Sequence, residues 1–308
     1  MIETREIRVD YGEVTAVSDL TFSVGTGEIF GLIGPNGAGK TSLIKVLATL
    51  GEPTYGAASI AGFDVIQQRT QARHRIGYMP DLAPVFKDLR CWEFLDLFAA
   101  SYSVPHSQRR SRISKALELV NLTAKRNAMA GTLSRGMTQR LVLAKTLLHD
   151  PDVLLLDEPA SGLDPMARID LRNLLKDLAE RGKTVLISSH ILDDLDKYCT
   201  SIGIMEKGRL VTAGKIDELV DQLNTQRAFT VETLGQGNEA ADALLASDQV
   251  DVISESKDHC EFHTTLDEKG TADLLAVLVT SGVRVTAFYE QQRGIEELMI
   301  RSGAREVS

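Results

Sequence analysis

Residues 34–42 read GPNGAGKTS, which fits the pattern GxxxxGK[S/T] of a loop that wraps a chain of phosphate groups. Gly34, Gly37 and Gly39 allow the backbone to turn tightly, so that successive N–H groups can point inward at phosphate oxygens. The helix expected after the loop adds its positive N-terminal end. An ordinary glycine-rich turn before a helix is the alternative interpretation of this motif taken alone.

The residues around the loop strengthen the first interpretation. A short apolar run, Ile29–Ile33, ends at the loop, and residues 43–50 have helical composition with apolar side chains on one face. Strand, loop and helix in this order form the arrangement that a phosphate loop needs. Lys40 would then reach the β and γ phosphates, and Thr41 would supply a hydroxyl to the Mg²⁺ that a nucleoside triphosphate carries.

The composition describes an ordinary protein with room for two domains: 308 residues, 43% hydrophobic, 25% charged and 5% aromatic. No run of 18 apolar residues occurs, and the N-terminus MIETREIRVDYGE has no apolar signal segment, so we expect neither a membrane span nor secretion. Cys91, Cys199 and Cys260 are too far apart for a zinc or disulfide pattern. These observations predict a cytoplasmic location.

The formal net charge of −9 argues against a partner held by neutralising nucleic-acid phosphates. The charge is uneven, because residues 66–145 contain 14 basic and 5 acidic residues. This basic segment is either a solvated face or a surface that meets anionic lipid or a partner.

Two acidic residues follow four apolar ones in VLLLDEP, residues 153–159. Ligands of α/β proteins gather at the carboxyl ends of parallel strands, so these acids should face the phosphate loop, although they could instead simply begin a loop. Asp157 suits Mg²⁺ through water, and Glu158 would orient and deprotonate a water in line with the γ phosphate. His190 follows another apolar strand, where its imidazole could donate a hydrogen bond to a γ-phosphate oxygen.

Two further residues have both a structural and a functional interpretation. Tyr11 and Gly12 form a predicted turn between two antiparallel strands, Glu6–Val9 and Ala16–Val24. The ring of Tyr11 there could stack on a nucleotide base or be a partly buried turn tyrosine. Ser134 is placed to cap the helix that runs to residue 148, and such a helix start can hold an anion, although an ordinary capped helix would look the same.

Helical periodicity dominates residues 89–148, which we interpret as a helical subdomain inserted between strands of the nucleotide-binding sheet. After residue 219 the order of strands and helices is βαββαβ followed by a final helix at 294–302, which predicts a small ferredoxin-like domain. His259, Glu261 and His263 share one face of a strand there, and we favour a solvated face over a metal site.

This ordered set of motifs resembles the ATPase subunits of ABC transporters. In that family the Walker A motif matches residues 34–41, the Walker B aspartate and catalytic glutamate match Asp157 and Glu158, and the switch histidine matches His190. The A-loop aromatic matches Tyr11.

The matches in the remaining family motifs are less regular. The D-loop matches residues 161–164. The signature, usually LSGGQ, reads LSRGM at 133–137, where Arg135 and Met137 replace a glycine and the glutamine. Asp81 stands where a Q-loop glutamine is usual, and could still contact Mg²⁺ or its water.

The resemblance implies a dimer, because such domains pair head to tail and hold each ATP between the Walker A of one chain and the signature of the other. Ser134 and Gly136 would then bind the neighbour's phosphate. It also implies ATP and Mg²⁺ as cofactors, a second ATPase subunit, identical or different, and separate membrane permease subunits whose coupling helix meets residues 82–98. The chain would be peripheral on the inner face of the membrane through that permease.

The C-terminal extension resembles that of ATPase subunits serving ABC-2-type exporters. The competing class is a soluble ABC protein that acts on ribosomes or DNA, but such proteins usually hold two nucleotide domains or long coiled coils. This chain has one Walker A motif and no sustained heptads. We therefore expect an exporter subunit that binds no nucleic acid.

The predicted fold is an α/β phosphate-loop ATPase domain over 1–218, with an antiparallel β-subdomain and a helical subdomain inserted at about 85–148, and a small α+β domain over 219–308. The predicted catalytic residues are Lys40, Glu158 and His190, and the predicted metal ligands are Thr41, Asp81 and Asp157. The residues predicted to contact nucleotide are Tyr11, Gly34, Pro35, Asn36, Gly37, Ala38, Gly39, Lys40, Thr41, Ser42, Asp81, Ser134 and Gly136.

Overall fold

The computed structural model describes residues 1–81, 84–189, 195, 197–223 and 227–291. His190 and the helix predicted at 294–302 lie outside the described residues. The chain forms two compact units, one containing Met1–Ile216 and the other beginning at Asp217. No helix among the described residues has the length and apolar character needed to cross a membrane.

The elements of the first unit alternate between strands and helices. In chain order they are β1 (Ile2–Tyr11), β2 (Val14–Val24), β3 (Ile29–Ile33), α1 (Lys40–Leu47), β4 (Tyr55–Ile60), β5 (Phe63–Asp64), α2 (Arg69–Arg75), β6 (Ile76–Met79), α3 (Cys91–Ser101), α4 (His106–Leu119), α5 (Arg135–Leu147), β7 (Val153–Asp157), α6 (Pro165–Glu180), β8 (Thr184–Ser189), β9 (Ser201–Glu206) and β10 (Arg209–Lys215). The helix α7 (Ile216–Leu223) follows.

An antiparallel sheet with the order β2-β1-β4-β5 begins this unit. Buried and exposed residues largely alternate along β1, as expected when one face of a strand is covered. The predicted antiparallel subdomain is confirmed, and its first two strands, β1 and β2, extend beyond the predicted ranges Glu6–Val9 and Ala16–Val24. The turn between them lies at Gly12 and Glu13.

The second sheet has the order β10-β9-β3-β8-β7-β6, and its strands from β9 to β6 are parallel. Every residue of β3, β7 and β8 is buried, since a parallel sheet is covered on both faces and its strands read as continuous apolar runs. The carboxyl ends of these three strands therefore meet at one edge of the sheet, which positions the phosphate loop beside the two acids.

The helices α3, α4 and α5 follow β6 and precede β7, where the sequence predicts a helical subdomain. Each buries one face: Phe94 and Leu95 on α3, Ile113 and Leu117 on α4. The Ser134 side chain accepts a hydrogen bond from the backbone N–H of Met137, so the predicted N-cap of α5 is confirmed.

The second unit is a four-stranded antiparallel sheet with two helices. Its elements are β11 (Arg227–Thr233), α8 (Gly237–Leu244), β12 (Val250–Glu255), β13 (His259–Thr264), α9 (Glu268–Thr280) and β14 (Val285–Glu290), and the sheet order is β12-β13-β11-β14. Numbered within the unit, this order is 2-3-1-4, so the predicted βαββαβ arrangement is present. Residues from α8, α9 and one sheet face form a separate core, which includes Phe229, Phe262 and Leu278.

The opposite face of β13 carries the three residues for which a metal site was considered. His259 shares a hydrogen bond of 2.7 Å with the Ser256 hydroxyl, and Glu261 accepts one from the Gln291 side chain. Among the described residues no group of three His, Cys, Asp or Glu side chains has a metal-holding arrangement.

Candidate nucleotide-binding site

The phosphate loop connects the end of β3 to the first turn of α1, and glycines are required at several of its positions. Gly37 and Gly39 have φ angles of 82° and 101°, in the left-handed region that side chains with a Cβ rarely adopt. A Cβ on Gly39 would lie 2.2 Å from the carbonyl oxygen of Ala16, and one on Gly34 would lie 2.3 Å from that of Met205. The backbone segments at Ala16 and Met205 thus leave no room for a side chain at Gly39 or Gly34.

Within the loop, Asn36 and Gly37 form an exposed tip, while Ala38 is buried and donates its N–H to the carbonyl of Pro35. The α1 helix begins at Lys40, earlier than the apolar periodicity predicts, so the N–H groups of its first turn are available at the loop. This arrangement can hold an anion such as a phosphate chain.

The Lys40 side chain is buried at the centre of the loop. Its ammonium donates to the carbonyl oxygens of Gly34 and Pro35 and lies 3.6 Å from a carboxylate oxygen of Glu158. Burial lowers the pKa of Lys40, and the nearby charges of Glu158 and Asp157 oppose this shift. The loop carbonyls of Gly34 and Pro35 therefore surround the Lys40 ammonium group. A phosphate group could bind this ammonium in place of the two carbonyl oxygens.

Thr41 and Asp157 come together at the edge of the sheet as predicted from their positions. The Thr41 hydroxyl donates to a carboxylate oxygen of Asp157 over 2.8 Å, and only 1% of Asp157 is exposed. A hydroxyl beside a carboxylate is the hard oxygen donor set that Mg²⁺ prefers, so these two residues fit the ion that accompanies ATP.

Ser188, at the end of β8, is a site residue that the sequence reasoning missed. Its buried hydroxyl donates to the other oxygen of Asp157 over 2.6 Å and accepts the backbone N–H of Glu158 over 3.0 Å. The sequence signal that could have identified Ser188 is its position at the end of the buried strand β8. In the sheet, β8 is adjacent to β7, the strand that leads to Asp157 and Glu158. Ser188 thus orients the carboxylate of Asp157 and the backbone of Glu158.

Glu158 leaves β7 with a φ angle of 48°, an uncommon conformation for a residue that is not glycine. This conformation turns its side chain toward Lys40, with the 3.6 Å separation already described. Local strain of this kind occurs where the surrounding structure holds a residue in place. The carboxylate that we predict to be the base therefore lies at the phosphate loop.

Tyr11 lies at the end of β1, paired with Val14 across the hairpin, and is 56% exposed. Two residues farther along β2, Ala16 touches the phosphate loop at Gly39. The exposed ring is therefore carried by the hairpin that abuts the loop, where a bound base could reach it.

The Ser134 site is separate from these residues. Ser134 is exposed, and its hydrogen bonds join it to Met137 and Thr138 of its own helix; none of those found among the described residues reaches the phosphate loop. Asp81 is exposed just after β6, the strand beside β7, and residues 82 and 83 after it are not described. The structure therefore brings together Lys40, Thr41, Asp157 and Glu158, and no described hydrogen bond joins Ser134 to them.

A cleft of about 400 Å³ lies on another part of this unit, where α2 and β6 meet the ends of α3 and α5. Its lining residues include four basic side chains, Arg73, His74, Lys145 and His149, and none of its described lining residues is acidic. Burial lowers the pKa values of Lys145 and His149. Burial therefore favours the uncharged forms of these two side chains, and the nearby carboxylate of Asp150 partly opposes this shift for His149.

The fold and the site together define a phosphate-loop nucleoside triphosphatase: a loop with a buried lysine, a hydroxyl and carboxylate suited to Mg²⁺, and a second carboxylate beside the loop. Comparison with known proteins narrows this class. The model of the ABC transporter family matches residues 17–161.

Relatives match well beyond that segment. A Nod factor export ATP-binding protein I of Burkholderia orbicola is 38% identical over 220 residues, covering 71% of this chain and 72% of the relative. An ABC transporter ATP-binding protein of Synechocystis sp. is 33% identical over 311 residues, covering 98% of this chain and 84% of the relative. A solved ATP-binding subunit of an ABC transporter is 30% identical with a TM-score of 0.67, covering 73% of this chain and 93% of that one. The chain belongs to the ATP-binding subunits of ABC transporters, and it is an ATPase of that family.

Proposed function

We propose that this ATPase hydrolyses MgATP in a head-to-tail dimer and drives export through separate ABC-2-type permease subunits. The observation that carries the proposal is the convergence of Lys40, Thr41, Asp157 and Glu158 at one edge of the sheet. This convergence supports assigning phosphate binding, two oxygen ligands for Mg²⁺ and a base to one site.

In the proposed reaction the loop N–H groups and Lys40 bind the β and γ phosphates. The Glu158 carboxylate accepts a proton from a water that attacks the γ phosphorus, and the bond to the β-phosphate oxygen breaks as the new bond forms. Thr41 and Asp157 would hold Mg²⁺, which would neutralise charge on the phosphates. Ser188 contributes by holding both acids in position.

The position of Ser134 supports the dimer. It caps α5 at an exposed helix start and forms none of its described contacts with the phosphate loop of its own chain. The Met137 N–H is taken by this cap, whereas the N–H groups of Arg135 and Gly136 have no described hydrogen-bond partner and could bind an anion. In a head-to-tail pair that anion is the γ phosphate bound by the second chain.

Export is supported by the relatives, several of which are named as Nod factor export ATP-binding proteins. A permease partner is consistent with Phe86 and Leu97, which are 55% and 46% exposed in the segment that would receive a coupling helix. Through that partner we place the chain on the inner face of the cell membrane.

The test of the catalytic assignment is Glu158→Gln, with the exposed Glu180→Gln as the matched control. Loss of a general base lowers turnover by about 100-fold to 10,000-fold, while ATP should still bind and hold the dimer together. We expect size-exclusion chromatography with ATP to show a dimer for Glu158→Gln and steady-state assays to show normal hydrolysis for Glu180→Gln. Wild-type turnover in Glu158→Gln would refute the assignment.

The test of the partner is purification of Glu158→Gln with ATP from gently solubilised native membranes. A stoichiometric membrane protein with many spans would support the transporter arrangement and identify the permease. Recovery with ribosomes or DNA instead would favour a soluble ABC ATPase.

A further inference from the structure

Arg135 occupies the signature position that is usually glycine, and its side chain extends to the segment that follows Glu158. The guanidinium lies against Gly162, where a Cβ would be 2.4 Å from the Cζ atom and 2.5 Å from Nε of Arg135. A Cβ at this position would require the guanidinium, which is the end of an exposed and flexible side chain, to shift. Gly162 also has a φ angle of 68°, a conformation that favours glycine.

The same guanidinium has few other partners. Its Nη2 atom donates to the Ser161 hydroxyl over 3.5 Å, and the described residues provide no carboxylate within ion-pair distance of it. A planar guanidinium with several N–H donors can lie against Gly162 and donate to Ser161 at once, which the compact ammonium group of lysine does less well.

Two other side chains of α5 reinforce the connection. The Gln139 amide donates to the carbonyl of Ser161 over 2.9 Å, and Arg140 forms an ion pair of 2.9 Å with Asp170 on α6. Below them Leu163 is buried close to Gly136. The first half of α5 therefore contacts residues 161–170 in two ways. Gln139 and Arg140 form polar contacts, and Leu163 packs against Gly136.

Residues 161 and 162 are in turn attached to the base. The backbone N–H of Ser161 donates to the carbonyl of Glu158 over 3.0 Å, closing a tight turn. Ser188 holds the amide of Glu158 on the other side. A displacement of Arg135 therefore reaches the backbone of Glu158 through a single turn of chain.

We propose that Arg135 is a positioning residue that links the two ATP sites of the dimer. The inference rests on the proposed head-to-tail function, in which Ser134 contacts the neighbour's ATP while Glu158 acts on the ATP of its own chain. When the neighbour's γ phosphate pulls on the start of α5, Arg135 carries the movement to Ser161 and Gly162, and Glu158 moves with them. Binding at one site then prepares hydrolysis at the other.

The test compares Arg135→Gln with wild type and with Arg110→Gln, which removes an exposed arginine of α4 from outside the connection. Hydrolysis is measured against ATP concentration to obtain kcat, KM and the Hill coefficient. For two coupled sites the wild-type Hill coefficient should lie between 1 and 2. We expect Arg135→Gln to lower it to about 1 and to reduce kcat about tenfold, with KM changed less than about twofold, and Arg110→Gln to match wild type.

A third variant separates charge from shape. Arg135→Lys keeps the charge but lacks the planar guanidinium that lies against Gly162, so we expect it to restore less than half of the lost kcat. A wild-type Hill coefficient in Arg135→Gln, or one of 1 in the wild-type protein, would overturn the inference. A large rise in KM with the Hill coefficient unchanged would also overturn it, because Arg135 would then be a phosphate ligand.

Failure of the inference can be told from failure of the proposed function. The ATP-bound dimer of Glu158→Gln, in which Arg135 is unchanged, tests the head-to-tail arrangement separately from the role of Arg135. If that dimer forms and Arg135→Gln keeps wild-type kinetics, only the coupling role of Arg135 is wrong. If no dimer forms, the head-to-tail arrangement fails, and the inference fails with it.

Discussion

At the end of β8, the hydroxyl of Ser188 bonds to the carboxylate of Asp157 and to the amide of Glu158. Ser188→Ala would leave a buried oxygen of Asp157 without its donor, which costs about 1–3 kcal/mol. We expect the free energy of unfolding, measured with urea, to fall by about that amount. Hydrolysis should fall about tenfold or more, as for other residues that orient a metal ligand.

The control for this prediction is Ser201→Ala, which removes a buried hydroxyl from β9, away from both acids. It should leave kcat unchanged. Equal losses of kcat in the two variants would show that Ser188 has no particular role at the site.

The exposed ring of Tyr11 is expected to contribute to ATP affinity. Stacking of a base on an aromatic ring is worth about 1–3 kcal/mol, so Tyr11→Ala should weaken ATP binding about tenfold, while Tyr11→Trp should retain it. Tyr55 begins β4 in the same antiparallel sheet as Tyr11 and is 61% exposed, so Tyr55→Ala provides the control. Isothermal titration with ATP measures all three, and equal affinity of Tyr11→Ala and wild type would remove Tyr11 from the site.

Local sequence motifs were sufficient to predict that Lys40, Thr41, Asp157 and Glu158 lie close together, because the carboxyl ends of parallel strands share one edge of a sheet. Ser188 was missed, since a serine at a strand end has no signature until the neighbouring strand is known. The contact of Arg135 with Gly162 is likewise tertiary, and no spacing in the sequence reports it.

Among the elements, the phosphate loop depends on close approach as well as on backbone freedom. Gly39→Ala would place a methyl group 2.2 Å from the Ala16 carbonyl, whereas Gly182, with a φ angle of 82°, has no atom within 4 Å of its would-be Cβ. Both substitutions cost about 1–2 kcal/mol for the left-handed conformation. We expect only Gly39→Ala to abolish ATP binding, as measured by equilibrium dialysis, and similar binding by both variants would contradict this.

The cleft at the end of α5 gives a prediction about pH. Burial lowers the pKa of His149, so the unfolded chain takes up this proton before the folded chain does. The free energy of unfolding should therefore be fully retained above about pH 6.5 and decrease as the pH falls through the pKa of the folded state. Urea unfolding at several pH values should show a shallower decrease for His149→Gln.

The control for the pH prediction is His106→Gln, which removes an exposed histidine at the start of α4. It should keep the wild-type pH dependence. If His149→Gln also keeps the wild-type pH dependence, the burial of His149 does not contribute to the pH dependence of the free energy of unfolding.

The observed bounds of β3, α2 and α1 show which secondary-structure elements can be predicted from the pattern of apolar residues. β3 was predicted at its observed bounds, because a buried parallel strand is a continuous apolar run. α2 was not predicted, because RTQARHR has only one buried residue and no apolar stripe. α1 begins three residues before its predicted start, since its first turn, KTS, belongs to the phosphate loop and is not apolar.

For the whole molecule, each unit has a hydrophobic core of its own. We propose that a chain shortened to residues 1–218 folds and still binds ATP. Calorimetry of the full chain should then show two unfolding transitions, and the shortened chain should retain the one that ATP shifts to higher temperature. A single transition, or an insoluble shortened chain, would show that the units fold only together.

The strand order has one further consequence. β8 lies between β3, which leads to the phosphate loop, and β7, which delivers the acids, and it is hydrogen-bonded to both. The two halves of the site can separate only if this ladder breaks, so the backbone amides of Val185, Leu186 and Ile187 should exchange with deuterium only through global unfolding. Saturating ATP should slow their exchange by the full factor by which it stabilises the protein, and these three amides would serve as an internal gauge of nucleotide affinity.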